Sequence, residues 1–200
     1  MQVKHTGTIP LETGRLLLRP FRADDAEQIY KNWASDPEVA KFLTWRAHQD
    51  AGVTRTVVDS WLKDYRKPHG YHWCITLKGS DEPLGGIDVV SSDEHLAAAE
   101  LGYCLTQRLW GQGYMTEAVI AVLEHLLETV GYERVSARHD TKNPASGAVM
   151  VKAGMAFEGV MRRAAKNNAG AYCDLALYAA LRGDWARARA GQSRDAGNPS

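Results

Sequence analysis

Glu100-Leu-Gly-Tyr-Cys-Leu-Thr-Gln-Arg-Leu-Trp-Gly-Gln-Gly-Tyr-Met-Thr-Glu-Ala118 decides how this chain is read. Leu101, Tyr103 and Leu105 alternate with Glu100, Gly102 and Cys104, the period of a strand with one buried face. Gly111 and Gly113 follow in a turn, where lack of a Cβ lets the backbone come close to a ligand. From Met115 onward Val119, Val122, Leu123, Leu126 and Val130 form one apolar stripe, with Glu117, Glu124, His125 and Glu128 on the other side. Strand, glycine turn and helix start together make an anion cradle, because the first N–H groups of a helix lack intrahelical partners. The predicted ligand carries phosphate.

Upstream of this stretch, Tyr71, Trp73, Ile75 and Leu77 alternate as a strand, Gly79 to Pro83 have turn chemistry, and Leu84 to Val90 form the next strand. With Ala97 to Leu105 these make a three-strand antiparallel meander. Earlier still, Arg15 to Pro20 read as an edge strand, since Pro20 cannot donate to a ladder. Ala23 to Ala34 form a helix with Asp24 and Asp25 in its first turn, and Gln49 to Tyr65 form a second with Val53, Val57, Trp61 and Leu62 at helical spacing. Downstream, Gly131 ends the long helix and Arg134 to His139 form a strand that the crossover places parallel to the meander's last strand. Pro144 to Ala153 make a short helix with Asn143 as N-cap and Gly154 beyond its end, and Phe157 to Ala164 and Tyr172 to Ala180 form a final hairpin.

The chain is read as one domain, with residues 1–13 an N-terminal extension, residues 14–185 the folded unit and residues 186–200 a disordered tail of Ala, Arg, Gly, Ser, Asp and Pro. Two hundred residues, 44% of them hydrophobic, suffice for a proper core. Lysine and arginine number 24 against 24 acids, so the global field of a nucleic-acid binder is missing, and direct nucleic-acid binding is not expected. Cys74, Cys104 and Cys173 lie far apart without a CxxC pair, and the seven histidines have no ligand spacing, so no metal site is expected. No signal-length or membrane-length apolar run occurs, which makes the cytoplasm the expected location and a membrane partner unexpected.

Gly111-Gln-Gly113-Tyr-Met-Thr116 nearly matches the dinucleotide fingerprint GxGxxG, with threonine for the third glycine. That fingerprint belongs to the first strand of a parallel sheet, whereas an antiparallel meander comes first here. A nucleotide-triphosphate loop is excluded more simply, because GxxxxGK[ST] is absent.

The assembled motifs resemble the GNAT N-acetyltransferase superfamily, and within it the RimJ/RimL-type branch of ribosomal-protein alanine N-acetyltransferases. Gln107-Arg-Leu-Trp-Gly-Gln-Gly113 matches that family's [Q/R]xxGx[G/A] pyrophosphate pattern, continued by Tyr114-Met-Thr-Glu-Ala118. Asn143-Pro-Ala-Ser146 running into Val151-Lys-Ala-Gly154 matches the branch's second hallmark. Gly14 to Pro20 and Gly170 to Asp174 also look like that branch, so the resemblance spans Gly14 to Trp185. It implies an α+β (α/β) fold: a mixed, mostly antiparallel twisted sheet of about seven strands, helices on both faces, and a splayed parallel strand pair binding acetyl-CoA.

The function implied is direct acetyl transfer from acetyl-CoA (coenzyme A) to a primary amine, foremost a protein or peptide N-terminus. Small-molecule amines (an amino acid, polyamine or aminoglycoside) and a non-catalytic acyl-CoA sensor are the alternatives. Cofactor contacts carried over from the family are Tyr103, Cys104 and Leu105 on the strand, then Arg108, Leu109, Trp110, Gly111, Gln112, Gly113, Tyr114, Met115 and Thr116, with Asn143 and Ser146 beyond. The resemblance makes Glu100 the carboxylate that receives the amine proton, Ser146 the hydroxyl that serves the departing thiolate, and Asn143 an orienting group. Each has a structural rival: Glu100 as an ion-pair partner, Asn143 and Ser146 as helix caps. Some relatives carry a late tyrosine in this helix where Met150 stands here. Trp45, with Arg46 and His48 between the first two helices, is the candidate for the acceptor site, and a homodimer through the last strands is a further implication.

Overall fold

The computed structural model describes residues 3–187. Its strands are β1 (Leu11–Glu12), β2 (Leu16–Pro20), β3 (His72–Leu77), β4 (Gly85–Asp93), β5 (Ala98–Leu105), β6 (Arg134–Asp140), β7 (Ala156–Lys166) and β8 (Tyr172–Leu181). They lie side by side in one sheet, β1-β2-β3-β4-β5-β6-β8-β7, and only the β5–β6 pair is parallel. With them come α1 (Ala26–Ile29, between a 3-10 turn at Ala23–Asp25 and a π turn at Tyr30–Ala34), α2 (Pro37–Ala40), α3 (Ala51–Asp64), α4 (Tyr114–Glu124, continued by a π turn over His125–Val130) and α5 (Pro144–Lys152). The meander, the crossover through α4 and the closing hairpin occupy the places the periodicities predict.

Alternation along the strands sorts the core into two layers. On one face Leu16, Leu18, Trp73, Ile75, Ile87 and Leu101 pack against the apolar stripe of α4. On the other, Cys74 lies beneath Phe21, Ile29, Trp33 and Val58 from α1, α3 and their flanking turns. At about 25 cal/mol per Å² of buried apolar surface, these layers are the main favourable term in folding.

Three local readings differ from the structure. β2 is not an edge strand, because β1 pairs with it through Leu11↔Leu18 and Glu12↔Leu17. Pro20 is accommodated beyond the reach of that two-residue strand, so its missing N–H breaks no ladder on the β1 side. The face α3 buries centres on Thr54 and Val58 rather than Val53, which is 42% exposed; the Thr54 hydroxyl meets His48 Nδ1 at 2.8 Å. His125, assigned to the polar side of its helix, is buried where the helix widens into its π turn, with Nε2 at 3.1 Å from the Thr6 hydroxyl.

That contact comes from the segment ahead of residue 14, which is packed onto the domain: Lys4 N donates to Val130 O and Trp73 Nε1 to Ile9 O, both at 2.8 Å. At the other end residues 182–187 form a helical segment, and the tail from 188 onward lies outside the described residues.

Beneath the α1 layer, Arg19 and Asp25 form a buried bidentate pair, Nη1 to Oδ2 and Nη2 to Oδ1, each 2.8 Å. The Asp25 hydrogen bond raises the Arg19 pKa further, and Asp25 Oδ2 also accepts from Arg22 N at 2.7 Å, fixing the turn into α1. Removing one partner strands the other charge. Asp25→Ala is expected to lower the free energy of unfolding by about 3–5 kcal/mol, and the Arg19→Met/Asp25→Leu double variant to recover most of it. Urea unfolding of the three proteins checks this.

Candidate active site

Parallel pairing between β5 and β6 runs from Ala98↔Arg134 only to Leu101↔Ala137. Beyond that point β5 stays with β4, as in Gly86↔Cys104, while β6 stays with β8, as in Asp140↔Leu175. Residues 102–105 and 138–140 therefore diverge, leaving a gap in the sheet. A β-bulge places Val90 as an extra residue on β4 between Val89↔Leu101 and Ser91↔Glu100, bending the sheet beside the gap.

The chain leaves β5 through a short 3-10 turn (Gln107–Leu109) and enters the glycine loop. Gly111 and Gly113 have φ of 73° and 82°, left-handed values that favour glycine. Gly113 is the N-cap of α4 and offers no side-chain cap, so the leading N–H groups of that helix remain available to an anion. A Cβ at Gly111 would meet nothing within 4 Å and would project into open space. Arg15, which the sequence reading did not place here, braces the loop from just ahead of β2: Nη1 donates to Gln112 O at 3.1 Å and the guanidinium lies 4.1 Å above the Tyr114 ring. Its Nε also pairs with Glu117 at 2.7 Å.

One cleft of about 990 Å³ joins the glycine loop, the strand gap and the α1–α3 side of the sheet. Every site residue read from the sequence lines it except Arg108 and Gln112. The Arg108 guanidinium turns to Glu82 at 2.5 Å, and the Gln112 amide donates back to Arg108 O at 2.8 Å, so both side chains brace the loop from outside. Met150 is buried and faces the core.

Glu100 sits on the cleft floor with Oε1 held by Arg138 Nε at 2.7 Å and 18% of its side chain exposed. Across the gap, Asn143 caps α5 by accepting from Ser146 N at 3.4 Å, the capping role its position suggested. Ser146 Oγ lies 2.9 Å from the Tyr103 hydroxyl, which also donates to Ser146 O at 3.1 Å. Burial pushes the Tyr103 phenol up to about 12, the Ser146 bond acting the other way, so it keeps its proton at neutral pH. Strand and helix are too far apart in sequence for periodicity to reveal this pair; only the fold brings it together.

On the acceptor side Trp45 stands 6.1 Å from Trp33 and 5.4 Å from His48, ring centre to ring centre. Burial lowers the His48 pKa, partly opposed by Asp50, which keeps the imidazole neutral at pH 7. Arg46 Nε donates to Asn168 O and Asn168 Nδ2 to Ala40 O, both 2.8 Å, so the α2–α3 connection is laced to the β7–β8 turn as a roof. Cys104 lines the floor, but burial, reinforced by Asp88, pushes its thiol up to about 12. A thiol so disfavoured as thiolate is a weak nucleophile. Among the described residues no group of three or more His, Cys, Asp or Glu is placed to hold a metal ion, and no helix is long and apolar enough to cross a membrane.

The family profile described as acetyltransferase (GNAT) domain matches residues 15–156. Among curated proteins, the chain is 27% identical over 172 residues to the uncharacterized N-acetyltransferase YoaA of Bacillus subtilis, covering 86% of this chain and 96% of that one. It is 30% identical over 112 residues to the ribosomal-protein-serine acetyltransferase of Escherichia coli, covering 56% and 62%. Its fold matches the Microcin C7 self immunity acetyltransferase MccE, solved in complex with acetyl-CoA and AMP, with a TM-score of 0.77 at 19% identity over 84% of this chain and 93% of that one. The uncapped α4 terminus, the left-handed glycines and the strand gap fit acetyl-CoA, and with the profile match they lead to one conclusion: this chain belongs to the GNAT acetyltransferase family, as an N-acetyltransferase that uses acetyl-CoA.

Proposed function

We propose that the enzyme transfers acetyl directly from acetyl-CoA to a protein or peptide N-terminal amine, in the manner of the RimJ/RimL-type branch, and does so in the cytoplasm. The observation that carries this is the continuity of the strand gap with a roofed, aromatic-walled acceptor half in one cleft. Under that roof an amine arrives end-on, which suits a chain terminus. The Escherichia coli relative named for a ribosomal protein supports the same reading. Three free cysteines are consistent with a reducing compartment.

Within this reading the leading N–H groups of α4 and the loop backbone hold the pyrophosphate, and the open edges of β5 and β6 pair with the pantetheine amides. Acetyl-CoA supplies the activated acetyl thioester. Glu100 takes the proton that the nitrogen sheds as the amide forms, directly or through one water. Ser146, with the protonated Tyr103 hydroxyl behind it, gives the sulfur its proton, answering the absence of a tyrosine at Met150. Cys104 takes no part, in keeping with direct transfer.

A small-molecule amine is the second reading, favoured by the same roof, since a closed slot also selects a slender ligand. A panel of N-terminal peptides, amino acids, polyamines and aminoglycosides assayed for thiol release separates the two. The outer strand β7 supports a homodimer, because it exposes Phe157, Val160 and Met161 and, among the described residues, forms an edge of the sheet. Sedimentation at micromolar concentration tests it.

Glu100→Gln is expected to lower kcat by about 10²–10⁴-fold while coenzyme A binding stays unchanged; calorimetry beside turnover checks both. Ser146→Ala is expected to be milder than Ser146→Ala/Tyr103→Phe, because a second hydroxyl stands behind the first. Gly111→Val should weaken coenzyme A binding by about tenfold or more, since a residue at positive φ costs about 1–2 kcal/mol and its side chain enters the cradle. Unchanged affinity in that variant would remove the glycine loop from the cofactor site.

A further inference from the structure

A second carboxylate shares the floor with Glu100. Asp88 on β4 pairs in register with Gly102 on β5, so it is the diagonal neighbour of Glu100 on the same face of the sheet, with the Val90 side chain lying over the glycine beside them. Its other cross-strand partner is His72 on β3, whose Nδ1 lies 2.8 Å from Asp88 Oδ1. The far nitrogen of that ring, Nε2, is 3.5 Å from Asp64 Oδ2 at the end of α3. Asp64 in turn bonds Lys67 Nζ at 2.7 Å.

This line of groups crosses a wall. Behind the cleft lies a second cavity of about 390 Å³, lined by Asp64, His69, His72 and Ser92, and Trp61, Asp88, Val90 and Ser91 belong to both cavities. Asp88 thus lines both the acceptor half of the cleft and the neighbouring cavity.

We propose that Asp88 docks the acceptor as an ammonium ion and takes its first proton, which then leaves through His72 into the chamber beside Asp64. This deepens the proposed amine acetylation and rests on it. An ammonium must lose two protons to become an amide nitrogen. One ends on the coenzyme A thiol, by way of Glu100 and the Ser146 hydroxyl, and the other is released. Asp88 handles the released one: the N–H bond of the ammonium breaks and an O–H bond forms on Asp88; that proton then passes to the bare Nδ1 of the neutral His72 ring while the Nε2–H bond breaks and its proton goes to Asp64 or water. The ring then recovers its tautomer by exchange with solvent.

The surroundings suit that task. Burial raises the Asp88 pKa, with the His72 hydrogen bond opposing, so it holds a proton more readily than an exposed carboxylate. The Tyr65 phenol and the Cys104 thiol, the neighbouring groups that sense its charge, are both pushed up and stay neutral. Lys67 keeps Asp64 below the usual carboxylate range, so Asp64 returns a received proton to water. Glu100 is engaged by Arg138 and leaves the first proton to Asp88.

Asp88→Asn retains a hydrogen-bonding partner for His72 Nδ1 and tests the idea through its pH dependence. A chain-terminal amine of pKa about 7.7–8.0 is only about 3–6% free at pH 6.5. With a peptide substrate, Asp88→Asn is therefore expected to lose about 15–30-fold in kcat/KM at pH 6.5 and less than about twofold at pH 9, where the amine arrives neutral. Glu100→Gln should be impaired at both pH values, and Asp64→Asn should show a smaller defect of the Asp88→Asn kind. Equal loss at both pH values in Asp88→Asn, or lost coenzyme A binding, overturns the proposal.

Imidazole resonances of His72 in the enzyme without coenzyme A give a readout independent of turnover. A short peptide with a free N-terminus should shift them, and the same peptide already N-acetylated should not; identical responses overturn the proposal. If the wild-type enzyme acetylates no amine, the acetylation reading fails by itself, and the resonances still decide whether Asp88 binds ammonium.

Discussion

The β5–β6 ladder stops at Leu101↔Ala137, and the site depends on that ending. Backbone donors and acceptors inside a sheet are ordinarily paired, and an unsatisfied buried group costs about 1–3 kcal/mol. The fold keeps such groups available because each diverging strand remains bonded on its other side, β5 to β4 and β6 to β8. The extra residue Val90 bends β4 at the same level, and the Tyr103–Ser146 contact ties α5 to β5 across the opening. The gap is held open by structure around it.

Charge in this molecule is local. With 24 cations balancing 24 anions the formal net charge is zero, and the oriented groups of the cleft act at short range: an uncapped helix terminus at one end and carboxylates on the floor. The two floor carboxylates have different neighbours. Glu100 has the guanidinium of Arg138, whereas Asp88 has the imidazole of His72. Neighbouring acids in unlike surroundings divide proton transfers that one acid would have to perform in sequence.

Much of the fold was legible because period-2 and period-3.6 patterns report which face a local element buries. The meander, α4 and the Asn143-capped α5 follow from such patterns, and the glycine loop from two residues whose φ is positive. Misreadings arose where a distant segment covered a surface. His125 is buried by Thr6 and its neighbours, and α3 turns Thr54 inward because His48 receives it. Arg108, read as a cofactor contact from its motif position, has its guanidinium paired with Glu82 on another loop.

By itself, the sequence determined the order of elements, the family motifs and the phosphate cradle, since these depend on residues within a turn or two of one another. Tertiary structure alone decided what stands beside what on the cleft floor. Tyr103 meets Ser146 across 43 positions, and Asp88 meets His72 across 16. Register between strands sets those meetings, and register is a property of the assembled sheet.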